Sequence, residues 1–282
     1  MLEFDFMRRA LLAGFLLSIM VPLIGVVMVN RRTSMVGDAL SHTSLAGVAL
    51  GLIFGFDPVL GAIAVCIVAG FSIETIRKRF PHYGDMATAV IMSTGLGLAA
   101  ILSDFAPGGN TFESYLFGSI SSITTADLRN VIIVFFPVMI CSIFLYGALL
   151  DISIDNNLAR IAGVKVELVN GIFTLLSAIT IALACKIVGA LLVASLIVLP
   201  VATALFVSRS YKSTMIITIV LGIIYTMVGI TTSYYYEIKP GGAIVLNAVV
   251  GMLIMSIYSK LRKISHHDEL HRAGGNSKAA GF

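Results

Sequence analysis

The sequence predicts an all-α polytopic membrane protein, and three observations predict it. Of its 282 residues 58% are hydrophobic and only 12% charged, with a mean hydropathy of +0.99. A soluble domain carries about 25% charged residues. The apolar residues fall in long runs almost free of charge, and the breaks between runs alternate between basic and acidic. This composition excludes a disordered chain, a secreted disulfide scaffold and an ordinary cytosolic enzyme. A helix needs about 20 residues to cross about 30 Å of hydrocarbon. The chain is therefore long enough for about eight to ten spans and leaves no room for an ATP-binding or catalytic domain of its own. Residues 1–264 are expected to form one transmembrane domain.

The runs, in order, cover 10–30, 35–56, 59–76, 86–103, 128–150, 166–185, 187–207, 213–236 and 242–259. That makes nine spans. Eight is the alternative, because Lys186 alone interrupts 166–207. Residues 1–5 lack the basic region and cleavage site of a signal peptide, so the first run is expected to stay as a span. Pro22, Pro137 and Pro200 fall inside runs, which membrane helices tolerate because neighbouring groups re-satisfy the freed carbonyl.

Orientation follows from Lys and Arg, which concentrate on the cytoplasmic side. Basic clusters stand at Arg31-Arg32, Arg77-Lys78-Arg79, Arg160 with Lys165, Arg209 with Lys212, and Lys260-Arg262-Lys263. Acidic residues mark the other loops: Asp57, Asp104 with Glu113, and Glu237. Nine spans put every basic cluster in the cytoplasm, with the N-terminus outside and the C-terminus inside. Arg8-Arg9 and Arg129 run against the pattern. The net charge of +4 reflects these loops and does not point to nucleic acid.

Two connections exceed a turn. Segment 106–127 breaks at Pro107-Gly108-Gly109-Asn110, and 112–120 is amphipathic enough to lie along the outer surface. Segment 151–165 is the cytoplasmic counterpart. There Asp155 is placed to cap a short helix carrying Leu158, Ala159, Arg160 and Ile161, with Gly163 ending it. Such a helix is a natural docking element for a cytosolic partner. The tail 265–282 is polar and glycine-rich and is expected to lack order in the cytoplasm.

The most informative chemistry is Gly37-Asp38-Ala39-Leu40-Ser41-His42. Asp38 and His42 are i and i+4, so they share one helix face. Ionisable residues inside a span are costly and mark ion paths. A carboxylate beside an imidazole is half a site for a divalent transition metal. The competing reading is a pair that satisfies itself inside the bundle. Two ligands are too few, so a symmetric copy or other helices must complete the set.

Other polar residues have plainer readings. Lys186 reads as a lysine snorkelling to the outer interface, or else as an electrostatic element at the mouth. Glu74 is spaced to pair with Arg77 or Lys78. Asp57, Glu113 and Glu237 are solvated outer acids or a docking surface for a basic partner. His266, His267 and His271 are weak metal ligands or a solubilising tail. Cys66, Cys141 and Cys185 lie in apolar runs and are too far apart for a metal motif. The chain has no phosphate-binding loop, H-E-x-x-H or G-x-S-x-G motif.

A family resemblance rests on six stretches: Arg31–Ser34, Gly37–Gly51, Leu116–Ile120, Ala159–Val164, Lys186–Val193 and Leu199–Ala204. With them, residues 5–262 resemble the permease subunit of bacterial ATP-binding-cassette importers for zinc, manganese or iron. The resemblance implies a homodimer with the type II importer permease fold in the bacterial plasma (inner) membrane. It implies a dimer of cytosolic ATPase subunits and an extracytoplasmic metal-binding protein as partners, beside the lipid bilayer. It further implies that Asp38 and His42 contact the metal and that 155–164 is the coupling helix. No permanent cofactor is implied; Zn2+, Mn2+ or Fe2+ would be cargo. The stretch 236–246 is similar to zinc members. An ATP-independent cation channel or secondary transporter is the rival function.

Overall fold

The computed structural model describes residues 4–80, 83–107 and 109–279. They form helices α1 (Asp5–Asn30), α2 (Ser34–Phe54), α3 (Pro58–Arg79), α4 (Gly84–Ser103), α5 (Gly109–Phe117) and α6 (Thr125–Phe144). There follow α7 (Tyr146–Ile154), α8 (Asn156–Ile161), α9 (Val166–Val188), α10 (Val193–Leu205), α11 (Tyr211–Tyr236) and α12 (Pro240–Ala279). No strand occurs among the described residues. Helices α1, α2, α3, α4, α6, α9, α11 and the Pro240–Lys260 part of α12 are long and apolar enough to cross a membrane.

The expected ninth full span is corrected. Ile187 and Val188 complete α9, Gly189 turns the chain at φ +97, and α10 has only 13 residues. At 1.5 Å per residue that is about 20 Å, well short of the hydrocarbon thickness. The crossing nevertheless keeps its direction. Arg9 donates to Thr125, Lys186 meets Asp127 and Lys239 meets Glu113, which gathers these turns at one end of the bundle. Arg31 donates to Asn170 and Ser259 to the Phe206 carbonyl, at the other end. The basic clusters share that second end, as their alternation requires.

Two further expectations change. The run 128–150 is broken at Leu145, between α6 and α7. The tail is not without order throughout. Helix α12 runs on to Ala279, because adding a residue to an existing helix escapes the cost of nucleation. Residues 280–282 and the side chains of His266, His267 and His271 lie outside the described residues. The outer amphipathic segment forms α5, and the three prolines sit inside α1, α6 and α10.

Helix α2 is central. It packs along α3 and α4 and also meets α9 and α10. Small residues permit this approach, as membrane helix interfaces require. A Cβ on Gly47 would strike the Gly61 carbonyl, and one on Gly61 would strike the Gly47 carbonyl. Gly95 of α4 likewise lies against Thr43. Twelve residues of α2 are buried by these neighbours.

Gly47→Ala is therefore expected to destabilise the protein by about 1–3 kcal/mol, the usual cost of overpacking. Gly97→Ala, whose methyl would meet nothing within 4 Å, should be neutral. Chemical denaturation of the two purified variants checks the difference.

Candidate functional site

Asp38 and His42 lie on the one stripe of α2 that its neighbours leave partly open. Their side chains are 28% and 15% exposed, and Met35, one turn earlier, is 58% exposed. His42 Nε2 is 3.4 Å from Asp38 Oδ1, longer than a good hydrogen bond. His42 Nδ1 is buried and has no hydrogen-bond partner among the described residues. The pair thus does not satisfy itself: one ring nitrogen is held loosely and the other not at all. The hydroxyls that flank it turn inward on the helix instead. Ser41 donates to the Asp38 carbonyl and Thr43 to the Ala39 carbonyl.

No group of three or more His, Cys, Asp or Glu side chains converges among the described residues. One chain therefore offers two donors, a carboxylate and an imidazole, where a transition metal takes four or more ligands.

At the outer end, two distant segments close on each other. Ala190 N–H donates to the Tyr115 carbonyl at 2.8 Å and Leu191 N–H to the Leu116 carbonyl at 3.2 Å. Ser119 N–H reaches the Lys186 carbonyl at 3.4 Å. Gly118 and Gly189 both have positive φ, +79 and +97, and a Cβ on either would strike the backbone of the other segment. Only glycine fits both requirements.

Lys186 belongs to this clasp. Its Nζ is 2.6 Å from Asp127 Oδ2, with both side chains largely buried, and 5.9 Å from the Tyr115 ring centre. The same carboxylate oxygen accepts from the Thr124 N–H and hydroxyl, closing a capping box at the start of α6. Lys186 is therefore not a snorkelling lysine: its charge is met by Asp127 at the outer end. Asp127 is the residue that sequence reasoning missed; the Thr124-x-x-Asp127 spacing was its visible signal. Burial, then the Asp127 charge, pushes the Tyr115 phenol up from its ordinary pKa.

The outer acids have local roles. Asp57 caps α3 by accepting from the Val59 N–H at 2.9 Å, ahead of Pro58. Glu113 pairs with Lys239 at 3.0 Å. Glu237 ends α11 at φ +53 and is exposed. Glu74 pairs with Lys78 at 3.7 Å, as its spacing predicts.

At the basic end, the short helix forms as its sequence dictates. Asp155 Oδ1 accepts from the N–H groups of Asn157 and Leu158. Gly163, at φ +85, donates to the Arg160 carbonyl while Val164 donates to the Ala159 carbonyl. That pattern is a Schellman cap. Ala159 is buried among Val27, Leu149, Ile152, Val166 and Val169 and roots the helix. Leu158 and Ile161 are 61% and 83% exposed, so the helix turns two large apolar side chains outward. Arg160 pairs with Glu167 at 3.6 Å.

A bundle of this topology, with a partly exposed carboxylate–imidazole pair and an apolar knob on a short helix, describes a transporter's membrane subunit. The model of the ABC 3 transport family matches residues 3–259, and the chain belongs to that family. It is 31% identical over 265 residues to the manganese import system permease protein ScaB of Streptococcus parasanguinis, covering 94% of this chain and 95% of the relative. It is 27% identical over 260 residues to the high-affinity zinc uptake system membrane protein ZnuB of Haemophilus influenzae, covering 92% and 99%. The structure of PsaBC from Streptococcus pneumoniae in complex with Fab superposes with a TM-score of 0.81 at 28% identity, covering 92% and 96%. The chain is a metal-transport ABC permease with that fold.

Removing one member of a buried ion pair costs about 3–5 kcal/mol. Lys186→Met should lose stability on that scale in a denaturation measurement, and Lys186→Met with Asp127→Asn should recover part of it. The exposed Arg129→Gln serves as the neutral control.

Proposed function

We propose that this chain is the membrane-spanning half of an ATP-driven importer that takes a divalent transition metal from an extracytoplasmic binding protein into the cytoplasm. The observation that carries the reading is the Asp38–His42 pair: two metal-type donors, inside a span, loosely matched to each other and on a partly open stripe of α2. A second copy of the chain, packed against that face, would supply the other carboxylate and imidazole. Four such ligands make a cage for an ion stripped of water, weak enough to let it go, as conduction requires both entry and exit.

Zinc is the first choice of cargo, because the stretch 236–246 is similar to zinc members; one carboxylate and one imidazole from each copy suit zinc or manganese alike. Manganese and iron are the alternatives, and relatives named for zinc and for manganese support both leading choices. The positive-inside rule puts the basic end in the cytoplasm of a bacterial plasma membrane. There the exposed Leu158 and Ile161 would fit an apolar cleft on each subunit of an ATPase dimer. The acids Asp57, Glu113 and Glu237 face the binding protein; among the described residues Glu113 alone of the three makes an ion pair. The chain itself performs no catalysis in this scheme, and ATP is hydrolysed by the partner.

Asp38→Ala and His42→Ala should each abolish cellular accumulation of radiolabelled zinc or manganese while the ATPase still co-purifies. Accumulation at the unsubstituted level in either variant would overturn the assignment. The isotope lost from a deletion strain identifies the metal.

Gly163→Val forces a β-branched residue into left-handed backbone, at a cost of about 1–2 kcal/mol, and loosens the cap of α8. ATP hydrolysis by the reconstituted transporter should persist while metal uptake falls. Equal loss of both activities would remove α8 from the coupling role.

A further inference from the structure

At the basic end, where α1 hands over to α2, a half-open cavity of about 720 Å³ indents the bundle beside the α7–α8 arm. Val36 and Leu40 of α2 line it, whereas Asp38 and His42 do not. Side chains two apart on a helix point to nearly opposite sides, so this space is separate from the metal pair.

Its charge is unbalanced. Five basic side chains line it against three acidic ones. Glu74 is engaged by Lys78, Glu167 by Arg160, and the Asp155 carboxylate by the backbone of α8. Arg31, Arg32 and Arg77 remain, and none of the three makes an ion pair among the described residues. Arg31 is held in place: Nη2 donates to Asn170 Oδ1 at 2.7 Å, and its guanidinium carbon lies 5.8 Å from the Phe173 ring centre.

Below the arginines the lining changes character. Met28, Leu40 and Ile73 are apolar, and α9 contributes Asn170, Thr174 and Ser177 along one face. The Ser177 hydroxyl is buried, with the residue 1% exposed, and has no partner among the described residues. Arginines that outnumber the acids, over an apolar floor with a spare Ser177 hydroxyl, match a molecule that is anionic at one end and apolar at the other. The level matches too: Arg31 immediately follows α1 and Arg77 stands in the last turn of α3, where spans meet headgroups. Basic pockets between transmembrane helices at the cytoplasmic surface take phospholipid headgroups.

We propose that this cavity binds the headgroup of an anionic phospholipid. Arg31, Arg32 and Arg77 hold the phosphate, bidentate guanidinium contacts being suited to it. Ser177 and Thr174 donate to the ester oxygens below. A free phosphate shares the first contact but leaves the apolar floor and the hydroxyls unused. The site adjoins α8, so the lipid ties the docking arm to the bundle and leaves the Leu158–Ile161 face free.

The test uses the transporter purified with whatever subunits accompany the permease, and native mass spectrometry after titration with phosphatidylglycerol or phosphatidylcholine. Phosphatidylglycerol should be retained on the permease and phosphatidylcholine should not. Arg31→Gln with Arg77→Gln should weaken retention on the order of tenfold or more, from about 1 kcal/mol per basic residue. Arg129→Gln, at the opposite end, should leave it unchanged. If the double variant fails to fold, Arg77→Gln alone should show a smaller loss in the same direction. Undiminished retention in the variants, equal retention of phosphatidylcholine, displacement of the lipid by millimolar inorganic phosphate, or exclusion of the lipid whenever the ATPase is bound would each overturn the proposal.

Discussion

The backbone contact between Gly47 and Gly61 is the constraint on which the rest depends. In hydrocarbon no hydrophobic force draws helices together, so association relies on close packing. Two glycines facing each other let α2 and α3 touch carbonyl to backbone, and Gly95 brings α4 against Thr43. With these faces committed, and α9 and α10 on others, a single stripe of α2 is left partly open. Asp38 and His42 stand on it. The polar pair is thus a product of packing elsewhere: neighbours occupy every face that glycine, alanine and serine make accessible.

The outer clasp applies the same economy to polar groups. The turn after α9 lies inside an apolar stretch, yet its backbone groups must find partners. They find them in the carbonyls of Tyr115 and Leu116. Lys186 and Asp127 then lock the depth of the α9 end against the start of α6. A buried ion pair contributes little net stability, but its rupture is costly, so it serves as a register mark more than as an adhesive.

Much of this was legible beforehand. Spans and their polarity followed from apolar runs and basic clusters, because hydrocarbon thickness and leaflet charge act on composition directly. Helix α8 was legible in detail, since Asp155 and Gly163 carry their capping roles locally. Asp38 and His42 were legible by their spacing. The short α10 was not: hydropathy adds up the side chains of 187–207 and is blind to a positive φ at Gly189. The break at Leu145 has no breaker residue to announce it. Lys186 was misread because its partner lies 59 residues away, and no periodicity connects them. Asp57 caps α3 through the Asp-Pro pair that opens the helix, a signal outweighed by its place in an acidic loop. The orphaned Nδ1 of His42 is a property of the packed bundle alone.

Helix α10 has a consequence of its own. Only Leu205 among its 13 residues is exposed and seven are buried, so protein covers most of it. A helix that touches lipid is pinned to the bilayer, because sliding it would push apolar surface into water or polar ends into oil. A helix sheathed by α1, α2, α11 and α12 is exempt from that penalty. Its depth is set by protein contacts and not by the bilayer. One end meets the outer clasp at Gly189–Leu192 and the other the basic-end turn at Phe206. Both ends are thus held by protein, and the depth of α10 does not follow the thickness of the bilayer.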